Sequence, residues 1–405
     1  MIPTLTMRAN IPARSLLIGC IFGAALIAPA FGNHRTGDDP LPELIVAGDF
    51  NQDGKLDLAV NVAGFDNIAI FNGDGQGGFT LERHIQTDTL PKGLVAADIN
   101  KDGHLDLVAI HEWGYNIRLN LGDGLGGFIG VSELNGDGDP TRIAVGDLNN
   151  DGKLDLIANA PSEGKMLLYF GDGNGGFSDH ATELEDLSND YSFAVRDLNE
   201  DGNLDLAVIT FVNKNAGTQV KILLGDGAGN FTKKAQFTVN PKASDIILGD
   251  LNQDGHLDIV VGGAGPQNDT GLFVSTYLGD GTGNFTEKQV TLLGPGTLEG
   301  KMALADFNED GNLDVAFPVT FTQTGTPSTT LFIFQGDGTG GLGTAQTITV
   351  GEGPHTALTA DFNQDGHTDI AVSNRTDATL SILIGDGTGA FTTRETLPVA
   401  VLPAP

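Results

Sequence analysis

Between residues 43 and 399 the chain is built from short apolar runs rich in Val, Ile and Leu, each closed off by Gly and Asp. The runs are four to seven residues long. That is too short for helices, and the flanking turn residues mark them as strands. They come in a fixed order. One run ("LIVAG" at the start) leads into an acidic stretch, and a second ("LAVNV") leaves it. A variable loop, a third run, a Gly-Asp-Gly turn and then Phe with a more polar run complete the unit. The pattern predicts four strands per unit and no helix between units.

The acidic stretch makes the repeat countable. "DFNQDGKLD" (49–57) returns as "DINKDGHLD" (98–106), "DLNNDGKLD" (147–155), "DLNEDGNLD" (197–205), "DLNQDGHLD" (250–258), "DFNEDGNLD" (306–314) and "DFNQDGHTD" (361–369). By subtraction, successive starts lie 49, 49, 50, 53, 56 and 55 residues apart. The second motif, "NGDGQGGF" at 72–79, keeps step and ends its last copy at Phe391. A period near fifty with four strands per unit predicts an all-β chain, a seven-bladed β-propeller of four-stranded antiparallel blades. The boundaries read as a signal segment over 1–30, a short linker over 31–42, the propeller over 43–400 and a tail over 401–405. On this phasing each blade is built from consecutive strands, and the ring closes by packing blade 7 on blade 1, with Phe391 expected at the seam.

Three like charges in nine residues call for a cation. Oxygen ligands at positions 1, 3 and 5 of a tight loop converge, Gly at 6 permits the turn, and a backbone carbonyl at 7 adds a ligand. Position 1 is Asp49, Asp98, Asp147, Asp197, Asp250, Asp306 and Asp361. Position 3 is Asn51, Asn100, Asn149, Asn199, Asn252, Asn308 and Asn363, and position 5 is Asp53, Asp102, Asp151, Asp201, Asp254, Asp310 and Asp365. The carbonyl would come from Lys55, His104, Lys153, Asn203, His256, Asn312 and His367. The closing acid at position 9 is Asp57, Asp106, Asp155, Asp205, Asp258, Asp314 and Asp369. All-oxygen ligation selects a hard ion, and a flexible multi-carboxylate shell favours Ca2+ over Mg2+, at about one ion per blade. Asn-x-Asp and Asp-Gly are also ordinary turn formers, but seven copies retaining all four side chains favour the metal reading. The three loop histidines are expected to face solvent. The Gly-Asp-Gly turn reads as a bulged hairpin, with a second metal shell through Asp74 and its equivalents as the alternative.

The nine-residue loop, flanked by "LIVAGDF" and "LDLAV" and followed by "GDGxGGF", resembles the FG-GAP/VCBS repeat family. That family includes the seven-bladed propeller of integrin α chains and many secreted bacterial proteins. The resemblance spans all seven units and implies Ca2+ in the hairpin between the first and second strands of a blade. This chain lacks the literal Phe-Gly and Gly-Ala-Pro pairs in most repeats and carries the loop in every unit. Integrin partners are therefore not carried over.

Composition adds bounds. The net charge of -32 argues against nucleic acid and anionic membranes as partners. The three aspartates of each loop alone account for 21 of the 53 acids. Arg8 and Arg14 precede the apolar "LLIGCIFGAALIAPA", which reads as a secretory signal cleaved after Ala30. Lipidation at Cys20 is the alternative, since "LIGC" resembles a lipoprotein box. Cys20 is the only cysteine, so the mature domain has no disulfide and needs another staple outside the cell. A secreted, cell-surface or periplasmic protein is expected, monomeric and without membrane insertion once the signal is removed.

Function is expected on the face opposite the acidic loops. From the last Asp of the loop to the Gly of the turn is 16 residues in repeats 1, 2, 3 and 7, but 20, 21 and 22 in repeats 4, 5 and 6. Those longer loops, at 210–219, 262–271 and 318–330, sit where binding usually lives. On the same face Glu43, Lys92, Arg142, Tyr191, Asp245, Lys301 and His355 should ring the central channel as a solvated rim. The expected partner is an extracellular protein, with Arg142 and Lys301 as candidate contacts. A glycan is the alternative, and Trp113 and Tyr115 in "HEWGYN" would serve as its aromatic platform. No activated nucleophile or His-metal spacing is present, so an enzyme is not expected; a polysaccharide-active enzyme ranks third.

Overall fold

The computed structural model describes residues 40–400 apart from 113–115, 137, 179–181, 185–186, 188–189, 214–216, 265–270 and 323. The signal segment, most of the linker, the C-terminal tail, Trp113 and Tyr115 lie outside the described residues. Within them the chain forms seven four-stranded antiparallel sheets, each made of four consecutive strands. The first strands are Pro42–Gly48, Pro91–Ala97, Ile143–Gly146, Asp190–Arg196, Ala243–Gly249, Ala303–Ala305 and Pro354–Ala360. Blade 7 completes itself with its own outer strand, Phe391–Pro398, so no strand is shared across the ring's ends. The fold is an all-β, seven-bladed propeller.

Burial explains why the runs looked as they did. The second strands are buried along most of their length, and Asp57–Val62 and Asp106–His111 at every position. Neighbouring blades cover both their faces, so they read as continuous apolar runs. The outer strands, such as Phe79–Gln86, are largely exposed and correspondingly polar.

The hydrophobic core lies between blades rather than within them. Each of seven apolar clusters draws its residues from two adjacent blades. At the seam of blades 7 and 1, Phe79 packs edge-on against Phe362, with ring centroids 5.5 Å apart. Phe391 makes the same contact one interface earlier, on Phe307 at 5.4 Å. The expectation for Phe391 therefore fails by one blade. The Phe after the Gly-rich turn (Leu342 in blade 6) leans back on the preceding blade, so blade 1 supplies the ring that closes the circle. Polar contacts reinforce the seam: Phe79 N–H donates to Glu395 Oε1 (2.8 Å) and Ser373 Oγ donates to the Glu43 carbonyl (2.6 Å).

Candidate functional site

The seven acidic loops share one geometry. In the first, Asp53 N–H donates to Asp49 Oδ1 (3.0 Å) and Asn51 Oδ1 (2.9 Å), and Gly54 N–H donates to Asp49 Oδ2 (2.9 Å). Lys55 N–H donates to Asp53 Oδ1 (3.0 Å). The same bonds recur in the other six loops, as in Asp365 and Gly366 on Asp361. Position 9 is different. Asp57 is fully buried, and its two oxygens accept the N–H groups of Phe50 (3.0 Å) and Gly73 (2.9 Å). It ties the loop to the Gly-Asp-Gly turn of the same blade. All seven equivalents are fully buried and make the same two bonds.

Burial pushes the Asp57 carboxyl above its ordinary range against the pull of those N–H donors, and the charges of Asp53 and Asp49 push the same way. Asp155, Asp205, Asp258 and Asp314 are each opposed likewise by the acids at positions 5 and 1 of their own loops. A carboxylate offers about four lone-pair sites, and Asp49 and Asp57 each give two to N–H donors. Acceptor capacity is therefore left over beside uncompensated charge, and the donor set fits a hard cation. Among the described residues no group of three or more acids or histidines already stands as an ion-holding cluster. In loops 1 and 3 a lysine ammonium meets the position-5 carboxylate instead, Lys55 at 3.4 Å and Lys153 at 3.0 Å.

Position 4 is the residue that reading the sequence missed. It carries φ between 55° and 61° in all seven loops without being glycine, a conformation that costs energy. Its side chain crosses to the next blade. Gln52 Nε2 donates to the Gly103 carbonyl (2.9 Å), and Lys101 reaches the Gly152 carbonyl. Asn150 Nδ2 donates to Asn203 Oδ1 (2.7 Å), and Glu200 pairs with His256. Gln253 donates to the Gly311 carbonyl (2.8 Å), Glu309 pairs with His367, and Gln364 closes the circle on the Gly54 carbonyl (2.7 Å). The seven loops thus form an unbroken belt. His256 and His367 are raised above the ordinary imidazole range, chiefly by their glutamate partners. Both side chains still face solvent as expected, at 34% and 36% exposure, but each is paired with a glutamate. The signal was present in register: both glutamates at position 4 precede a loop with His at position 7.

The position-7 side chain also rests on the second Gly of its own blade's turn. A Cβ on Gly124 would meet His104 Nδ1 at 2.3 Å, and one on Gly281 would meet His256 Nδ1 at 2.4 Å. Both glycines have positive φ, 68° and 67°. The turn itself is self-contained: Asp123 Oδ1 accepts N–H from Leu125 (2.8 Å) and Gly127 (2.8 Å). Those donors hold its carboxyl below the ordinary range. The bulged-hairpin account explains these bonds without a second metal shell.

On the opposite face the start of the first strands forms the channel wall, and the expected solvated rim is in part buried. Glu43, Asp245 and His355 are 2%, 1% and 7% exposed. Glu43 of blade 1 takes Lys92 of blade 2 at 2.8 Å and Arg375 of blade 7 at 3.4 Å. Those two cations also meet Glu112 (3.8 Å) and Glu299 (3.2 Å). Burial opposes ionisation of Glu43, but Lys92, Arg375 and His355 outweigh it and bring the carboxyl to about 2. Asp245 of blade 5 accepts from Ser192 Oγ of blade 4 (3.1 Å) and from the Met302 N–H of blade 6 (2.8 Å). Arg142 and Lys301 are half-buried. The Tyr191 side chain and parts of the three long loops lie outside the described residues.

The FG-GAP-like repeat profile matches residues 49–109, 99–158, 209–261, 250–317 and 321–372, and an FG-GAP repeat matches 140–178. The chain belongs to the FG-GAP-like repeat family. No curated protein matches it. Solved structures with this fold include a protein from Lactobacillus plantarum (14% identity, TM-score 0.61, 88% of this chain and 96% of that one). A Bacteroides uniformis protein provisionally assigned as a 6-phosphogluconolactonase is similar at 12% identity and TM-score 0.60, over 89% and 99% of the two chains. BBS1N, solved in complex with ARL6DN, is similar at 10% identity and TM-score 0.58, over 84% and 91%. At these identities the likeness is one of fold. The FG-GAP period places every loop on one end of its blade and leaves the other end to the channel wall and the variable loops.

Proposed function

We propose that this FG-GAP propeller is a secreted binding or adhesion module, stapled by about one Ca2+ per blade, that engages an extracellular protein through the face opposite its acidic loops. The observation that carries this reading is the sevenfold loop, in which a buried Asp at position 9 lies with further acids of its own loop and only loops 1 and 3 set a lysine against one of them. Bound Ca2+ would supply the missing positive charge. Asp49, Asn51, Asp53 and Asp57, with the Lys55 carbonyl, and their equivalents would hold it. The belt commits the loop face to the scaffold, which supports placing recognition on the other. The apolar, Arg-bearing N-terminus supports an extracellular setting.

Calcium titration by calorimetry, paired with melting in excess chelator, tests the staple. At ~10 times its dissociation constant each site adds ~1.4 kcal/mol, so seven independent sites supply on the order of 10 kcal/mol. Chelation should lower the melting temperature by well over ~10 °C, given the modest stability of most domains. An unchanged melt would remove the metal from the account. A glycan array with and without chelator separates the protein-binding reading from the lectin-like one.

A further inference from the structure

The seven loops repeat one geometry, but the belt hands them different charges. Loops 5 and 7 receive a glutamate from the blade before, taken up by His256 and His367. Loops 1, 2, 4 and 6 receive a neutral amide, from Gln364, Gln52, Asn150 and Gln253. Loop 3 receives a cation: Lys101 of blade 2, held by a left-handed backbone at φ 59°, lays its ammonium on the Gly152 carbonyl. Loop 3 also carries one of its own, since Lys153 Nζ donates to Asp151 Oδ2 at 3.0 Å. Two ammonium groups therefore stand against the three aspartates of loop 3. Loop 1 has the single contact of Lys55 with Asp53, at 3.4 Å. Among the described residues no lysine contacts the carboxylates of the other five loops.

The contact on Asp151 falls on an atom that a cation needs. Asp151 Oδ1 already accepts the Lys153 N–H (2.9 Å), so the ammonium covers the remaining oxygen at position 5. In loops 2, 4, 5, 6 and 7 the same oxygen is met by the amide of the position-3 asparagine, as in Asn100 Nδ2 to Asp102 Oδ2 (2.8 Å). The two occupants differ in what they can do when an ion arrives. An amide carries an acceptor oxygen as well as its donors and can stay in the shell; an ammonium carries donors only and must leave. Lys101 adds a second positive charge one peptide away from the Lys153 carbonyl.

We propose that Lys153 and Lys101 make loop 3 the weakest cation site of the ring, the last to fill as calcium rises and the first to empty as it falls. This deepens, and rests on, the calcium reading of the loops. Its own ammonium groups then stand in for the ion and keep the loop closed. Exposed ion pairs are individually weak, so each lysine should cost about two- to fivefold in affinity, and the two together about tenfold. Loop 1, with one longer contact, comes next in the order.

A titration in buffered free calcium, followed by NMR on protein labelled with 15N-glycine, reads each loop through its position-6 glycine. The Gly152 amide should reach its midpoint at about tenfold higher free calcium than the Gly202 amide of loop 4. Lys101→Gln combined with Lys153→Asn uses residues that already stand at these positions in other loops, and should bring the two midpoints together within about twofold. Lys233→Gln combined with Lys234→Gln removes the same charge from the exposed outer strand of blade 4, and should leave the Gly152 midpoint where it was. The proposal is overturned if Gly152 titrates with or before Gly202, if the Lys101 and Lys153 replacements leave its midpoint unchanged, or if the Lys233 and Lys234 replacements shift it equally. Glycine amides that respond to calcium in no loop overturn the staple and this proposal with it, whereas amides that all respond together overturn this proposal alone.

Discussion

Glu43→Gln removes the charge that joins blades 1, 2 and 7 in the channel wall. The carboxyl moves from its ordinary 4.5 to about 2 on folding, which corresponds to about 3 kcal/mol favouring the folded state at neutral pH. The sign follows from the direction. A depressed acid stabilises at pH values above its unfolded 4.5 and loses that contribution as the pH falls towards 2. The amide keeps the shape but strips the charge that holds Lys92 and Arg375 together from either side. Urea unfolding of both proteins in excess calcium, between pH 7 and pH 3, reads the difference directly. The loop acids are common to both chains and cancel, whereas Glu299 and His355, which interact with Glu43 directly, shift with it. The variant should be less stable by about 3 kcal/mol at pH 7 and by only about 1.4 kcal/mol at pH 3. A difference that stays flat across that range, or one below about 1 kcal/mol at pH 7, refutes the argument.

Further outcomes are expected at the seam, the belt and the turns. Phe79→Ala, at 6% exposure, should cost about 3–5 kcal/mol in denaturant unfolding, clearly more than Phe391→Ala, whose ring is only partly buried. Gln364→Ala removes the link that closes the belt and should cost about 1 kcal/mol; limited proteolysis should then cut at the seam of blades 7 and 1 before other interfaces. Gly281→Ala forces a side chain into a positive-φ turn against His256, and should destabilise by about 1–3 kcal/mol while shifting the His256 imidazole resonances in NMR.

The blade count, the strand order and the loop positions were legible because a repeated local pattern states them seven times over. Position 9 was legible as an acid, but not as the buried clamp between loop and turn, because that role depends on N–H donors 7 residues back and 16 to 22 residues on. Phe391 was placed at the wrong interface because no periodicity says whether a turn leans forward or back. Glu43 read as a rim residue because its partners, Lys92 and Arg375, are brought in by other blades. The cross-blade reach of position 4 was hidden for the same reason: each pair is separated by 51 to 58 residues, and Gln364 from its partner by 310.

The belt also bears on how the order of the blades can change. Where the acceptor is the Gly carbonyl, as at Gly103, Gly152, Gly311 and Gly54, any repeat offers the same group, so its neighbour is anonymous. The links Glu200–His256 and Glu309–His367 instead name their neighbour by side chain. Shuffling or duplicating repeats 1 to 3 leaves the named pairs intact. Inserting a repeat between 4 and 5, or between 6 and 7, separates a glutamate from the histidine that answers it. The junctions between blades 4 and 5 and between 6 and 7 therefore carry addresses, as does the Asn150–Asn203 junction of blades 3 and 4, and those made only to a Gly carbonyl tolerate rearrangement.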